Sequence, residues 1–413
     1  MSNLLLGVDR ADITPGRPVP LAGFAARAGM GPATGTAAPL RLRTLAFGGH
    51  DGGERAVLVS ADLLWWGFDT AERVQAELTR RYGLPASAVL LHATHTHSAP
   101  QVSRRFVPSI GAVDDAYVDQ VCAAAADGVG RALAALRPVT IDRFADRAAI
   151  GHDRRAARSP STVPRSSVDP AVTVLRLTGP DGVAALLVHH ACHPVVHRGN
   201  RVTPDFAGVA MDLLERRYPG AVAVYAQGCC GDVDPLPSWG SADSAAVELA
   251  DAVTRALGGT RIAVGPAGLR TERTTVGLPL RPAPTAAELR ELTGDDGVRG
   301  EWARLLLSDP GRARTAAPVV LSSLRLAADL QLLGMSGEPV SAYGRRVAVL
   351  SGGATLPLGY TNGMTGYLVT ARQLAQGGYE ADEAPYWFGL PGPFAPAAEE
   401  VLHRALATAL RSR

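Results

Sequence analysis

The sequence predicts a mixed α/β fold: a central mixed sheet flanked by helices, with a metal site at the strand ends. Three observations carry that reading. Short apolar runs alternate with helical spacing along the whole chain, an early β-α-β succession reads as a parallel pair, and the histidines gather where apolar runs stop.

The first 60 residues alternate apolar runs with Gly/Pro turns, giving strands at 4–8, 41–47 and 56–61, the last closed by Asp62. Residues 68–81 have helical spacing and abundant Ala, Glu and Arg. After the turn at Gly83-Leu84-Pro85 comes a second buried run, 88–93, which pairs naturally in parallel with 56–61. Ligands collect at the carboxyl ends of such strands. Asp114-Asp115 opens a helix reaching about Leu136. Strands follow at 139–144, 172–177 and 183–191, then a helix at 206–217, a strand at 221–226 and a helix at 244–257. A Pro/Thr-rich stretch at 278–285 leads into helical segments, two strands at 319–326 and 328–335, and a closing helix at 395–410. With no repeat, heptad run or long linker, the expectation is one domain over 1–413, with a small helical subdomain at about 283–310.

Composition narrows the function. The chain of 413 residues is 46% hydrophobic and 19% charged, an ordinary globular balance. Its formal charge of 41 − 39 = +2 argues against a nucleic-acid or polybasic membrane surface. All 41 cationic side chains are arginine, which removes Schiff-base and pyridoxal-phosphate chemistry and the lysine of a P-loop. The N-terminus lacks the charged and apolar regions of a signal peptide, and no charge-free run of about 18 apolar residues implies a membrane span. Cys122, Cys192, Cys229 and Cys230 are too few for a disulfide framework, so reduced thiols in a cytoplasm are expected.

Seven of the ten histidines fall in two short windows, His92, His95 and His97, and His189, His190, His193 and His197. A single histidine there would simply solubilise a turn. Two clusters at equivalent points of a sheet point to metal, because neutral imidazole is the commonest transition-metal ligand. His95 and His97, two residues apart, would face one pocket if the chain is extended, with His92 turned away into packing or support. In Cys192-His193-Pro194 the proline fixes the chain just after a candidate ligand, while His189, His190 and His197 are weaker candidates.

Three further segments carry polar groups. In Gln227-Gly228-Cys229-Cys230-Gly231-Asp232-Val233-Asp234-Pro235, the paired cysteines are poor joint ligands, and the glycines would let backbone amides approach an anion. Asp232 and Asp234 could serve as a base and an orienting carboxylate, or simply form an Asx-turn closed by Pro235. Glu338, in Gly337-Glu338-Pro339, suits a carboxylate ligand at a strand end, or a helix N-terminus. The glycine-rich loop Gly359-Tyr360-Thr361-Asn362-Gly363 through Gly366-Tyr367 offers phenols and an amide, or only packing.

Taken in order, these segments resemble the neutral/alkaline non-lysosomal ceramidase family of zinc-dependent amide hydrolases. The resemblance rests on Gly7-Val8-Asp9 through Ile13-Thr14-Pro15, Val59-Ser60-Ala61-Asp62, Thr94-His95-Thr96-His97-Ser98 and Cys192-His193-Pro194. It continues through Gly231-Asp232-Val233-Asp234-Pro235, Gly337-Glu338 with Gly344-Arg345-Arg346, and the Asn362 to Tyr367 loop. It implies His95, His193, Glu338 and Tyr367 as ligands of Zn²⁺, and His97 as a group facing the reacting carbonyl. It also implies Arg154, or its neighbour Arg155, as the active-site arginine. Asp234 stands where the family's ceramide-cleaving members carry serine, so a carboxylate base replaces a serine-dependent step. Those members also carry a C-terminal sandwich domain that is not expected here. The expected substrate is therefore an N-acylated small molecule other than ceramide, with no membrane insertion. Ester or lactone hydrolysis, acyl transfer or cyclisation, and a non-catalytic metal-holding binding protein are the alternatives. The sequence leaves the oligomeric state open.

Overall fold

The computed structural model describes residues 4–27, 29–49, 53–158 and 168–411. The leading sheet runs Val89–Ala93, Arg55–Ala61, Arg41–Gly49, Leu4–Asp12, Arg137–Pro138. Arg55–Ala61 and Val89–Ala93 pair in parallel, Ala61 opposite Ala93, with the helix Phe68–Tyr82 as their crossover. Both strands are buried, as their apolar runs require. A second sheet runs Val222–Gln227, Gly182–His190, Ala171–Gly179, Thr140–Arg147. It repeats the device: Gly182–His190 and Val222–Gln227 are parallel, joined through the helix Asp205–Arg217. The third sheet runs Ala267–Pro279, Ala316–Ala327, Leu330–Met335, Thr355–Leu358.

One apolar core draws on all three sheets, including Phe47, Leu58, Leu90, Leu187, Val224, Leu326 and Leu332. A larger one lies beneath the helices, where Val74, Leu78, Val121, Leu214 and Leu249 are buried. Burying such side chains is the main drive for this layering, at roughly 25 cal/mol per Å² removed from water.

The carboxyl ends of the parallel strands are then sewn together. The His92 ring accepts the backbone N–H of Gln227 at 2.9 Å. Gly359 N donates to the Gln227 carbonyl and Ala93 N to the Tyr360 carbonyl. His92 is thus the hub between two sheets and the Gly359–Tyr360 turn. Burial lowers its pKa from the ordinary histidine value to about 3, so the hub is neutral.

Two of the longer elements differ from sequence expectation. Ala267–Pro279 is a strand of 13 residues, lying mostly exposed on one face, so its Arg/Thr/Glu alternation lacks an apolar run to announce it. Ser341–Ser351 is a helix whose Gly344-Arg345-Arg346 centre and exposed Val349 and Leu350 break the amphipathic pattern. The helices Ala286–Leu292 and Val298–Ser308 pack through Leu289, Trp302, Ala303 and Leu306 against Val107, and Thr285 with Glu288 forms a capping box. All four cysteines are buried free thiols. Among the described residues no helix is long and apolar enough to cross a membrane.

Candidate metal centre

His95 and His97 lie in the loop beyond Val89–Ala93, not on the strand itself, so strand alternation does not orient them. A left-handed backbone at His95 (φ 71°) does so instead, held by His95 N to the Leu63 carbonyl. His95 Nδ1 sits 2.9 Å from the Leu64 carbonyl. His193 follows Gly182–His190 and meets the Val233 carbonyl twice, through its backbone N at 3.0 Å and its Nδ1 at 3.1 Å. His97 Nδ1 meets the Gly23 carbonyl at 3.0 Å. Gly23 allows that approach, because a Cβ there would fall 2.7 Å from the ring. A carbonyl oxygen only accepts, so each Nδ1 carries the proton and each Nε2 turns a lone pair inward.

Those lone pairs converge. His95 Nε2 and His97 Nε2 are 3.3 Å apart, and Glu338 Oε1 lies 3.4 Å from His95 Nε2 and 2.7 Å from His193 Nε2. His95, His193 and Glu338 are each 1% exposed. His193 Nε2 and Glu338 Oε1 have no hydrogen-bond partner among the described residues. Neutral imidazole and carboxylate acceptors facing one another at this depth repel unless a proton or a metal cation sits between them, and two or three imidazoles with a carboxylate are a donor set that suits Zn²⁺. The residues present therefore fit the ion the family implies. Burial raises the Glu338 carboxyl, but the flanking His95 and His193 outweigh it and hold the group well below the carboxylate range. Burial, then the neighbouring His95 and His193, push His97 well below the ordinary histidine value.

Tyr367 enters opposite Glu338 in a short parallel bridge, and its phenol oxygen accepts from Arg154 Nη2 at 3.0 Å. Arg154 also donates to Asp234 Oδ1 at 3.2 Å and to Glu380 Oε1 at 2.8 Å. Arg155 binds Glu380 and the Gly377 carbonyl instead, away from Tyr367. Asp234 Oδ1 is 3.9 Å from His193 Nδ1. Asp232 faces elsewhere: its oxygens accept from Ser341 N at 2.7 Å, Ser341 Oγ and Gln373 Nε2. The two carboxylates therefore do not act on one face, because one anchors the start of Ser341–Ser351 and the other pairs with Arg154.

The remaining histidines stay outside the cluster. His189 Nε2 bonds the Pro357 carbonyl, His190 Nδ1 the Ala171 carbonyl, and His197 N the Asp205 carboxylate. Cys230 Sγ contacts the Tyr360 hydroxyl at 3.0 Å, while Tyr360 stacks on His95 with centroids 3.9 Å apart. Of the wall residues, sequence reasoning misses Trp65 outright; it reads Tyr360 only as one of the glycine-rich loop's phenols, and Tyr379 and Glu380 only as part of a pocket-wall loop over 379–391. Tyr379 lies 5.9 Å from Tyr367 ring to ring, and Trp65 stacks 6.0 Å from His95. Trp65 carried no signal beyond being aromatic.

Fold and site together define a mixed α/β protein built around an inward-facing cluster of imidazoles and a carboxylate. Residues 4–266 match the family model described as neutral/alkaline non-lysosomal ceramidase, N-terminal, and the chain belongs to that family. Among solved structures, the neutral ceramidase from Pseudomonas aeruginosa superposes with a TM-score of 0.79 at 20% identity, covering 99% of this chain and 74% of that one. A ceramidase complexed with C2 gives a TM-score of 0.78 at 19% identity, over 100% of this chain and 76% of the other. No curated protein sequence matches.

Proposed function

We propose that the protein is a zinc-dependent hydrolase of an amide (N-acyl) bond in a small molecule. The observation that carries this is the convergence of the Nε2 lone pairs of His95 and His193 on the Glu338 carboxylate, in a chain of the ceramidase family. His95, His193, Glu338 and Tyr367 are the residues that would hold the ion. When bound, Zn²⁺ supplies a Lewis acid that polarises an acyl carbonyl and lowers the pKa of a water toward about 7.

The chain's own groups do the rest. His97, with Nδ1–H committed to Gly23, presents Nε2 to accept a proton or to orient a water. Asp234 takes the place of the family's serine and supplies a carboxylate that can receive a proton. Arg154 holds both Asp234 and the Tyr367 phenol, so it fixes two reacting-side groups in one geometry. The aromatic wall around His95 keeps bulk water out, which strengthens each of these interactions. The partner is a small acyl substrate, and the buried free thiols fit the reducing cytoplasm.

The test is a panel of N-acyl amides, esters and lactones with zinc-loaded protein, alongside His193→Ala. Amide turnover that disappears with the zinc in the variant supports the reading. Ester or lactone turnover alone moves the activity to the neighbouring acyl class. No turnover on any member by fully loaded protein overturns it in favour of a ligand-binding role.

A further inference from the structure

Behind the metal centre lies a second space. A cavity of about 210 Å³ separates the sheet that carries Gly182–His190 from the helix Ser341–Ser351 and the strand Thr355–Leu358 that follows it. Two hydrogen bonds join its walls: Arg143 Nη1 donates to the Gly353 carbonyl at 2.8 Å, and His189 Nε2 to the Pro357 carbonyl at 2.9 Å. None of His95, His193, Glu338 and Tyr367 lines it. It backs instead onto Val233, whose carbonyl receives His193 on the other side.

The polar atoms on these walls are left open. Thr173 is the cross-strand partner of His189, so both side chains face the same side of the sheet. Thr173 is 7% exposed and Thr355, across the cavity, 4%. Their two hydroxyls, Arg143 Nη2 and His189 Nδ1 have no hydrogen-bond partner among the described residues, yet unlike Arg143 Nε none of these atoms is sealed from solvent. Arg143 gives its one side-chain hydrogen bond to a carbonyl, and Asp329 acts on its charge without pairing with it. Polar groups so placed take a water or a ligand.

Charge and size narrow the ligand. Arg143 and, at the exposed rim, Arg345 stand against the single rim carboxylate of Asp169, and His189 is neutral because burial lowers it to about 4. The lining thus carries a net charge of 2 − 1 = +1, which suits one negative charge. A cavity of about 150 Å³ already admits benzene, so this one has room for a ring-sized body with a carboxylate attached. We propose that the cavity is a binding site for a compact monocarboxylate, with the carboxylate on Arg143 Nη2 and the Thr173 and Thr355 hydroxyls and the apolar body against Ala191, Val233 and Leu356. His189 Nδ1 is left to accept from a water or from a hydroxyl of the ligand. The site is distinct from the hydrolytic centre and stands whether or not that centre turns over amides.

The experiment is calorimetric titration of the full chain with benzoate, zinc-loaded and zinc-stripped, so that a carboxylate resting on the metal is told apart from one in the cavity. Benzoate should bind with Kd below about 10 mM in both forms, and benzyl alcohol, which has the same ring without the charge, about tenfold or more weaker. Arg143→Met should weaken benzoate by about tenfold or more, and Thr173→Val, which keeps the side-chain shape and removes the hydroxyl, by about threefold or more. Thermal melting shows that each variant folds, and Thr173→Val decides alone if Arg143→Met does not. Zinc-independent binding weakened in the folded variants supports the site. No binding to about 10 mM, binding only with zinc present, equal affinity for benzyl alcohol, or affinity unchanged in the folded variants overturns it.

Discussion

Glu338 and Tyr367 face each other as Cα partners in a two-residue parallel bridge, so two of the proposed ligands share one backbone register. The bridge is set by Glu338 N donating to the Gly366 carbonyl at 2.9 Å, and Gly366 sits at φ 135°, where an L side chain is strained. Gly366→Ala should therefore cost about 1–3 kcal/mol of stability and move the Tyr367 phenol off the site. Urea denaturation and zinc-competition titration check this, with affinity expected to fall about tenfold or more.

Asp232 and Asp234 should separate by assay. Asp232→Asn disturbs an acceptor for Ser341 N, Ser341 Oγ and Gln373, and should lower stability by about 1–3 kcal/mol with little change in kcat. Asp234→Asn should instead lower kcat by about 10²-fold with a small stability change. If the two variants exchange these phenotypes, the assignment of the proton-accepting carboxylate is wrong.

Arg154 and Glu380 form a buried ion pair at 2.8 Å, with Arg155 as the second partner of the carboxylate. Arg154→Ala should cost about 3 kcal/mol, since it leaves Glu380 buried beside a single cation. A double-mutant cycle with Glu380→Ala should return a coupling of about 1–3 kcal/mol. A coupling near zero would show that the pair is incidental.

The pH dependence of stability isolates His92. Its folded pKa is depressed to about 3. Below the unfolded value of about 6.5 the unfolded chain therefore binds a proton that the folded chain refuses, and stability falls as pH drops from 6.5 toward 3. Asp62 and Asp205, both raised to about 6 chiefly by burial, act in the opposite sense below that pH, so a single melting curve mixes the effects. The difference between wild type and His92→Gln does not. The variant's deficit should shrink by about 2 kcal/mol between pH 7 and pH 5, at about 1.4 kcal/mol per unit. A deficit constant with pH would mean that His92 titrates normally in the folded state.

How much of this was legible in the sequence follows from what each residue depends on. The buried parallel strands announced themselves, because apolar runs such as Val57–Val59 have few other places to go. Asp114 as the N-cap of Asp115–Ala134 was equally readable. The histidine clusters and Glu338 could be read singly as metal-ligand candidates, but their joining into one set of His95, His193 and Glu338 came from the ordered family motifs, since two loops and a two-residue bridge set it. The reason offered for aiming His95 and His97, strand alternation, was not the operative one. A positive φ and the Leu64 and Gly23 carbonyls aim the two rings, and neither leaves a periodic trace. The separate fates of Asp232 and Asp234 depend on Ser341 and Arg154, each about 80 residues or more away in sequence.

The central claim is that four acceptor-bearing side chains hold one divalent ion. Metal analysis after zinc loading and exhaustive dialysis tests it most directly. Wild type should retain about one zinc per chain, and His95→Ala, His193→Ala and Glu338→Ala should each retain far less while remaining folded. A folded wild type that keeps no zinc, or three variants that keep as much as wild type, would contradict it.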